Sequence, residues 1–191
     1  MKINLALLII FVLAFSFQVK SQTLEEISLT DAISGKSLSI ESLTDQKGLV
    51  LVFFDLKCPF AKMYEERIKN LRTSFSNRGF RFLLVNPEAS LSESETLKNY
   101  IDSSGLNLSF LIDSEKLLTK TLAVSKVPES FVLMKVENKI QIVYHGAIDN
   151  NPQAEEAVSE KFLERALNQI LGGTMPSPSQ VRATGCNVRS F

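Results

Sequence analysis

Two cysteines carry the most versatile chemistry in this chain of 191 residues, at positions 58 and 186. A cysteine is a nucleophile only as the thiolate, and its ordinary pKa is about 8.5. Cys58 follows the apolar run GLVLVFFDL and precedes Pro59, which suits the first turn of a helix because no N–H is needed there. Since a helix N-terminus stabilises a thiolate, we predict that Cys58 is a reactive thiol. The alternative is a small buried hydrophobic residue.

Charged and polar residues near Cys58 in the sequence are expected to affect the stability of its thiolate. Lys57 and Lys62 add positive potential, whereas Asp55 opposes it. Asp55 is also a candidate to accept the thiol proton, as carboxylates do in general base catalysis. The alternative for Asp55 is a carboxylate that is solvated or bonded to N–H groups at a strand end. Asn86 follows the next predicted strand and is expected to border the same crevice.

Alternating strands and helices position these residues. Apolar runs predict buried strands at GLVLVFFDL, FRFLLVN and LSFLID, and a hairpin of SFVLMKV and IQIVYHG around a turn at residues 137–139. Helices are predicted over residues 60–75, 92–104, 114–124 and 157–171, the second with a capping box of Ser92 and Glu95. A short hairpin and one helical turn precede the first long strand. The fold class is α/β, with a central mixed sheet flanked by helices.

The chain divides into three parts. Lys2, an apolar run over residues 5–17 and a polar stretch after it predict a signal peptide over residues 1–21. The run is short for a permanent anchor, which needs about 20 apolar residues, although an uncleaved anchor is the alternative. Residues 22–171 form one domain, and residues 172–191 form a Cys-containing tail rich in Pro and Ser. We therefore expect an exported protein, periplasmic or secreted, in which disulfides persist.

The charge balance excludes one class of partner. Lys and Arg together number 21, as do Asp and Glu, so the formal net charge is zero. No excess of positive charge is present to release counterions from a nucleic acid. We expect no nucleic-acid partner and no stable membrane insertion after signal cleavage.

The segment around Cys58 and the sequence Val127-Pro128-Glu129-Ser130-Phe131 together resemble the thioredoxin-like superfamily over residues 25–171. The closer resemblance is to the redoxin branch, grouped with alkyl hydroperoxide reductase and thiol-specific antioxidant proteins. It implies a thioredoxin-like fold in which an active-site Cys opens the first long helix and a cis-proline faces it. By this resemblance the Val127–Pro128 bond is cis. Substrate is then expected to bind at Val127 and Pro128, with Pro59 and Phe60 beside Cys58.

Three positions depart from the patterns of related proteins. Ala61 stands where thioredoxins carry the second Cys of Cys-x-x-Cys, so no dithiol pair exists within this motif. Peroxiredoxins place a Pro seven residues and a Thr or Ser three residues before their reactive Cys. Leu51 and Asp55 occupy those positions here, and the hydroxyl that helps to hold peroxide is absent.

Cys186 is a candidate for the missing partner. The roughly 14 residues that precede it in the tail span up to ~45 Å when extended, which is ample to reach Cys58. The Pro-rich ending with Gly185-Cys186 also resembles the tail of a subgroup of redoxins. We interpret Cys186 as a resolving thiol that attacks a mixed disulfide at Cys58. A permanent disulfide and an unpaired or intermolecular cysteine remain as alternatives.

The single histidine, His145, lies in the last predicted strand. Copper-delivering relatives use a Cys-x-x-x-Cys pair with a distant His, but position 62 is Lys. A Cu(I) site of Cys58, Cys186 and His145 is the least favoured alternative, because thiolate and imidazole do bind soft metals. We expect no metal and no organic cofactor.

The sequence predicts an exported thiol–disulfide oxidoreductase in which Cys58 attacks and Cys186 resolves. Its partners are a protein or small-molecule thiol or disulfide and a redox partner protein. A peroxiredoxin-like antioxidant peroxidase is one alternative. A second is a non-catalytic thioredoxin-fold binding module in which the disulfide is structural.

Overall fold

The computed structural model describes residues 23–44 and 46–189. The predicted signal peptide, residues 1–21, lies outside the described residues. Within the described ranges, no helix is long and apolar enough to cross a membrane.

The chain forms ten strands and six α-helices in the described part. The strands are β1 (Ser28–Asp31), β2 (Ser37–Ser39), β3 (Gly48–Phe53), β4 (Phe80–Asn86), β5 (Ser109–Ile112), β6 (Lys126–Val127), β7 (Glu129–Val136), β8 (Lys139–Gly146), β9 (Gln180–Val181) and β10 (Cys186–Asn187). The helices are α1 (Ile40–Leu43), α2 (Pro59–Met63), α3 (Glu65–Phe75), α4 (Ser94–Ser104), α5 (Leu117–Thr121) and α6 (Phe162–Leu171).

The central sheet is mixed, as predicted. Its order is β2-β1-β5-β4-β3-β7-β8-β9. Strand β3 pairs in parallel with β4 and antiparallel with β7, and every residue of β3 is buried. A strand covered on both faces requires the unbroken apolar run that the sequence contains. Cys58 therefore follows a strand that lies in the middle of the sheet.

The hairpin of β7 and β8 is confirmed. Its turn consists of Glu137 and Asn138, both with positive φ (50° and 63°), which is the backbone of a tight two-residue hairpin turn. The predicted early hairpin and helical turn are also present, as β1, β2 and α1.

Several predicted boundaries were wrong. Helix α5 covers only Leu117–Thr121, because Lys116 before it has a left-handed φ of 57°. The last helix begins at Phe162, since residues 155–157 form a separate 3-10 turn. The capping box before α4 consists of Ser90 and Glu93, not Ser92 and Glu95. Both pairs have the same spacing, so spacing alone does not choose between them.

The tail after α6 docks onto the body of the protein. Strand β9 pairs in parallel with the end of β8, where Val181 lies opposite Gly146. A Cβ on Gly146 would stand 1.7 Å from the carbonyl oxygen of Val181, and the φ of Gly146 is +128°, so only glycine fits. Ala183 is buried further along the tail. Further along the tail, β10 pairs with β6 in a separate two-stranded sheet.

Candidate active site

Cys58 is the N-cap residue of α2, as the sequence predicted. Its backbone is extended (φ −93°, ψ 117°), and Pro59 follows as the first helical residue. The N–H of Cys58 donates to the carbonyl oxygen of Asp55 (3.0 Å), and the N–H of Ala61 donates to that of Cys58 (3.1 Å). Helix α3 continues the chain after Tyr64, which keeps helical backbone angles. The turn between β3 and α2 therefore fixes where the sulfur of Cys58 lies.

Cys58 and Cys186 form a disulfide bond, with their Cα atoms 6.0 Å apart and a sequence separation of 128. Cys58 is only 2% exposed, whereas Cys186 is partly exposed. The pairing that the sequence left open is therefore present in the structure. Cys58 is therefore covered by its neighbours, while part of Cys186 reaches solvent.

Val127 lies beside the disulfide. The sulfur of Cys58 is 3.3 Å from the carbonyl oxygen of Val127, a contact without a hydrogen bond because a disulfide sulfur carries no proton. The Val127–Pro128 peptide bond is cis, as the resemblance implied. Both residues are buried. The fold thus brings together Cys58, Cys186, Val127 and Pro128, which are separated along the chain.

The tail pairs with the backbone that precedes Pro128. In the antiparallel pair of β10 and β6, Cys186 lies opposite Val127 and Asn187 lies opposite Lys126. The N–H of Val188 then donates to the carbonyl oxygen of Ser125 (3.1 Å). We call the surface formed by residues 125–128 the strand groove. In the disulfide-bonded protein the strand groove is filled by the tail.

The Glu129 side chain hydrogen-bonds to the backbone of the strand groove. Its side chain is buried, and one carboxylate oxygen accepts the N–H groups of Ser125 (3.1 Å) and Lys126 (3.2 Å). The other carboxylate oxygen lies 4.0 Å from Nδ1 of His145. Sequence reasoning missed this residue. The available signal was an acidic residue next to Pro128 at the start of an apolar strand.

Asp55, Lys57 and Asn86 shape the loops around Cys58. The carboxylate of Asp55 accepts the N–H of Lys57 (3.0 Å), and the Lys57 ammonium pairs with Glu93 (3.1 Å) on the surface. The side-chain oxygen of Asn86 accepts the N–H groups of Glu88 (2.8 Å) and Ala89 (2.9 Å). Because the Asp55 carboxylate hydrogen-bonds to the N–H of Lys57, a role for Asp55 as proton acceptor stays a prediction.

Pro59 and Phe60 follow Cys58 directly in the chain. Pro59 is exposed and Phe60 is partly exposed. Both residues are therefore accessible beside the disulfide. Their role in substrate binding stays a prediction.

His145 stacks on the ring of Phe131, with ring centroids 5.5 Å apart and planes inclined by 17°. It is a partly buried residue of β8. Among residues 23–44 and 46–189, no group of three or more His, Cys, Asp or Glu side chains could hold a metal ion.

A buried ion pair fixes the helix that follows the cysteine. The Arg67 guanidinium donates to the carboxylate of Asp149 (2.6 Å) and to the carbonyl oxygens of Asn151 (2.7 Å) and Pro152 (3.0 Å). The Tyr64 hydroxyl donates to the other Asp149 oxygen (2.9 Å). Burial, and then the negative charge of Asp149, raise the pKa of Tyr64 far above its ordinary value. The cluster ties α3 to the loop after β8.

The model of the AhpC/TSA family matches residues 13–142. No curated protein is significantly similar to the chain.

Solved structures share the fold. An uncharacterised conserved protein from Geobacillus kaustophilus has a TM-score of 0.76 at 21% identity, covering 86% of this chain and 88% of its own. A putative thiol-disulfide oxidoreductase from Bacteroides vulgatus has a TM-score of 0.60 at 14% identity, covering 82% and 93%. A secreted Mycobacterium tuberculosis disulfide oxidoreductase, homologous to E. coli DsbE, has a TM-score of 0.52 at 17% identity, covering 77% and 95%. At these identities the similarity establishes the thioredoxin-like fold.

Proposed function

The chain belongs to the AhpC/TSA family, and on that premise we propose that it is an exported thiol–disulfide oxidoreductase. Cys58 is the attacking thiol and Cys186 is the resolving thiol. One observation carries the proposal: the Cys58–Cys186 disulfide lies at the start of a helix and beside the cis Val127–Pro128 bond. Exchange between thiols and disulfides needs no organic cofactor and no metal ion.

The unequal exposure of the two cysteines supports an order of events in the oxidised protein. A thiolate of a reducing partner attacks the sulfur of Cys186, the partly exposed residue. The bond between the two cysteines breaks, a partner–Cys186 disulfide forms, and Cys58 leaves as the thiolate. A second thiol of the partner then attacks the partner sulfur of the mixed disulfide. The partner forms an internal disulfide, and Cys186 is released reduced. Two electrons pass from the partner dithiol to the protein.

The helix start supports Cys58 as the leaving group and as the attacking group of the reduced protein. A thiol of lower pKa leaves faster, and the N-terminus of a helix lowers a thiol pKa. The reduced protein then uses the Cys58 thiolate to attack a substrate disulfide. Cys186 attacks the resulting mixed disulfide at Cys58, which restores the intramolecular bond and releases a reduced substrate.

Export is the part of the proposal that depends on sequence alone. It is supported by the basic start and apolar run of residues 1–21. An oxidising compartment outside the cytoplasm would allow the Cys58–Cys186 bond to persist between turnovers.

The test uses oxidised glutathione and the reduced protein. In the Cys186→Ala variant, Cys58 attacks the glutathione disulfide and keeps a mixed disulfide that mass spectrometry detects. In the wild-type protein, Cys186 resolves it, so two reduced glutathione molecules are released and no adduct persists. The Cys58→Ala variant is the matched control and reacts slowly through Cys186. An unreactive Cys58 in the Cys186→Ala variant would contradict the proposal.

Peroxide reduction is the second candidate. The family match favours it, since the family is named for alkyl hydroperoxide reductase and thiol-specific antioxidant proteins. Cys58 would attack a peroxide oxygen, giving a sulfenic acid and either water or an alcohol. Cys186 would then condense with the sulfenic acid to form the disulfide and release one water. Leu51 and Asp55 stand where peroxiredoxins carry Pro and Thr or Ser. Trapping of sulfenic acid with dimedone in the Cys186→Ala variant tests this reaction. Rapid trapping at low peroxide would support this reaction, and its absence would rule it out.

A further inference from the structure

The tail occupies the strand groove in a defined register. Cys186 supplies the sulfur bonded to Cys58, and its backbone pairs with Val127. Only one strand can pair with β6 on this side, so the tail and an extended substrate segment compete for one position. The contacts of the tail therefore indicate what the strand groove accepts.

Gly185 makes the most restrictive of these contacts. A Cβ at this position would stand 2.1 Å from the carbonyl oxygen of Val127, 2.7 Å from its carbonyl carbon and 3.1 Å from the nitrogen of Pro128. These are backbone atoms held by strand pairing and by Glu129, so they have little freedom to move aside. The φ of Gly185 is not positive, so the requirement for glycine here is one of space and not of backbone conformation.

The contacts after Cys186 restrict the sequence less. The side chain of Asn187 accepts a hydrogen bond from the Lys126 ammonium. The N–H of Arg189 donates to the Glu88 carboxylate (2.9 Å), and its guanidinium nitrogen lies 3.9 Å from the same carboxylate. The Arg189 side chain is 84% exposed, and an exposed ion pair contributes little. The contact with Glu88 therefore depends mainly on the backbone N–H of Arg189, which any residue except proline would provide.

We propose that the strand groove selects disulfide substrates that present an extended protein segment with glycine immediately before the reactive cysteine. This inference rests on the proposed function and deepens it by naming a substrate class. The Cys58 thiolate attacks the sulfur of the substrate cysteine, whose former partner sulfur leaves as a thiolate. Cys186 then attacks Cys58, the two protein sulfurs join, and the substrate cysteine leaves reduced. The tail replaces the substrate strand in the same register.

The test uses the reduced Cys186→Ala variant of the full chain. Its probe is a peptide with the sequence of residues 181–189, VRATGCNVR, whose cysteine carries a 2-thiopyridyl group. Attack by Cys58 on the peptide sulfur releases pyridine-2-thione, which absorbance measures. A second peptide differs only by alanine in place of the glycine. Reaction of both peptides with free glutathione corrects for their intrinsic reactivity.

We expect the glycine peptide to react at least tenfold faster than the alanine peptide. Adding Gly185→Ala to the Cys186→Ala variant displaces the tail and accelerates the reaction with the glycine peptide. Adding Gly172→Ala, a matched change in the same tail with ordinary contacts for its Cβ, has no effect. Equal rates for the two peptides, or no acceleration by Gly185→Ala, would overturn the inference.

A small probe separates this inference from the proposed function. Dithiodipyridine needs no strand groove, so it reacts with Cys58 whatever the peptide preference. If dithiodipyridine reacts rapidly and the two peptides react equally, the substrate class is wrong and disulfide exchange stands. If dithiodipyridine does not react with Cys58, the proposed function fails and this inference fails with it.

Discussion

Cys186 stands opposite Val127 in an antiparallel pair of two-residue strands, so the backbone before Pro128 is already paired when the two sulfurs are joined. The disulfide and the strand pair therefore hold the tail together in the oxidised protein. A covalent link alone would leave the tail free on either side of Cys186. The strand pair instead makes the fit of the tail backbone part of the stability of the oxidised protein.

The Gly185→Ala substitution should make the Cys58–Cys186 bond easier to reduce. A Cβ 2.1 Å from the oxygen of Val127 forces the tail out of register, which destabilises the oxidised protein more than the reduced one. We expect the equilibrium constant for oxidation by glutathione disulfide to fall at least tenfold, equivalent to about 30 mV for a two-electron couple. Thiol alkylation at equilibrium with glutathione buffers measures this constant.

Gly172→Ala is the control for that prediction. Gly172 belongs to the same tail, has a φ of −76°, and a Cβ there would lie 3.4 Å or more from its neighbours. Its equilibrium constant should equal that of the wild-type protein. The same constant in the Gly185→Ala variant would mean that the tail is held by the disulfide alone.

Removal of Arg67 should destabilise the protein strongly. In an Arg67→Met variant the buried Asp149 carboxylate loses its guanidinium partner, and breaking a buried pair in this way costs about 3–5 kcal/mol. The free energy of unfolding in urea measures the loss. Lys69→Met on the same helix removes a surface pair with Glu66 and should cost under about 1 kcal/mol. Equal losses in the two variants would show that the buried pair adds no special stability.

High pH should unfold the protein through its tyrosines. The chain has three, Tyr64, Tyr100 and Tyr144, and burial is the main cause that raises the pKa of each. An unfolded tyrosine loses its proton near pH 10, so the unfolded state binds fewer protons than the folded state above that pH. The stability is therefore fully present below about pH 10 and is lost as the pH rises further.

Phenolate absorbance and circular dichroism together check this expectation. The absorbance of all three tyrosines should rise with the loss of folded signal, in one cooperative transition above pH 10. A rise centred near pH 10 in a protein that keeps its circular dichroism would show that the tyrosines are accessible.

Features with a strong local pattern were predictable from the sequence. The unbroken apolar run of β3 and the step from strand to Cys58 and Pro59 both correspond to the structure. Burial on two faces and the stereochemistry of proline each leave a signal in neighbouring residues. The prediction made helix α5 too long. The helix starts only after Lys116, whose left-handed backbone delays it, and lysine is not a residue type that indicates such a backbone.

Features that depend on contacts between distant segments were not predictable. Strands β9 and β10 have two residues each, which is too short for any periodicity. Arg67 and Asp149 are 82 positions apart and look like ordinary surface charges in the sequence. The pairing of Cys58 with Cys186 was one of several open possibilities, since chain length permitted it without requiring it.

The reduction potential of the Cys58–Cys186 couple tests the central claim most directly. The full chain is equilibrated with buffers of reduced and oxidised glutathione or dithiothreitol, and the fraction of disulfide is measured by thiol alkylation and mass spectrometry. A working oxidoreductase should have a midpoint between about −120 and −270 mV, the range of known exchange proteins. A midpoint below about −300 mV, with a Cys58 pKa near 8.5, would contradict the account and identify the bond as a structural one.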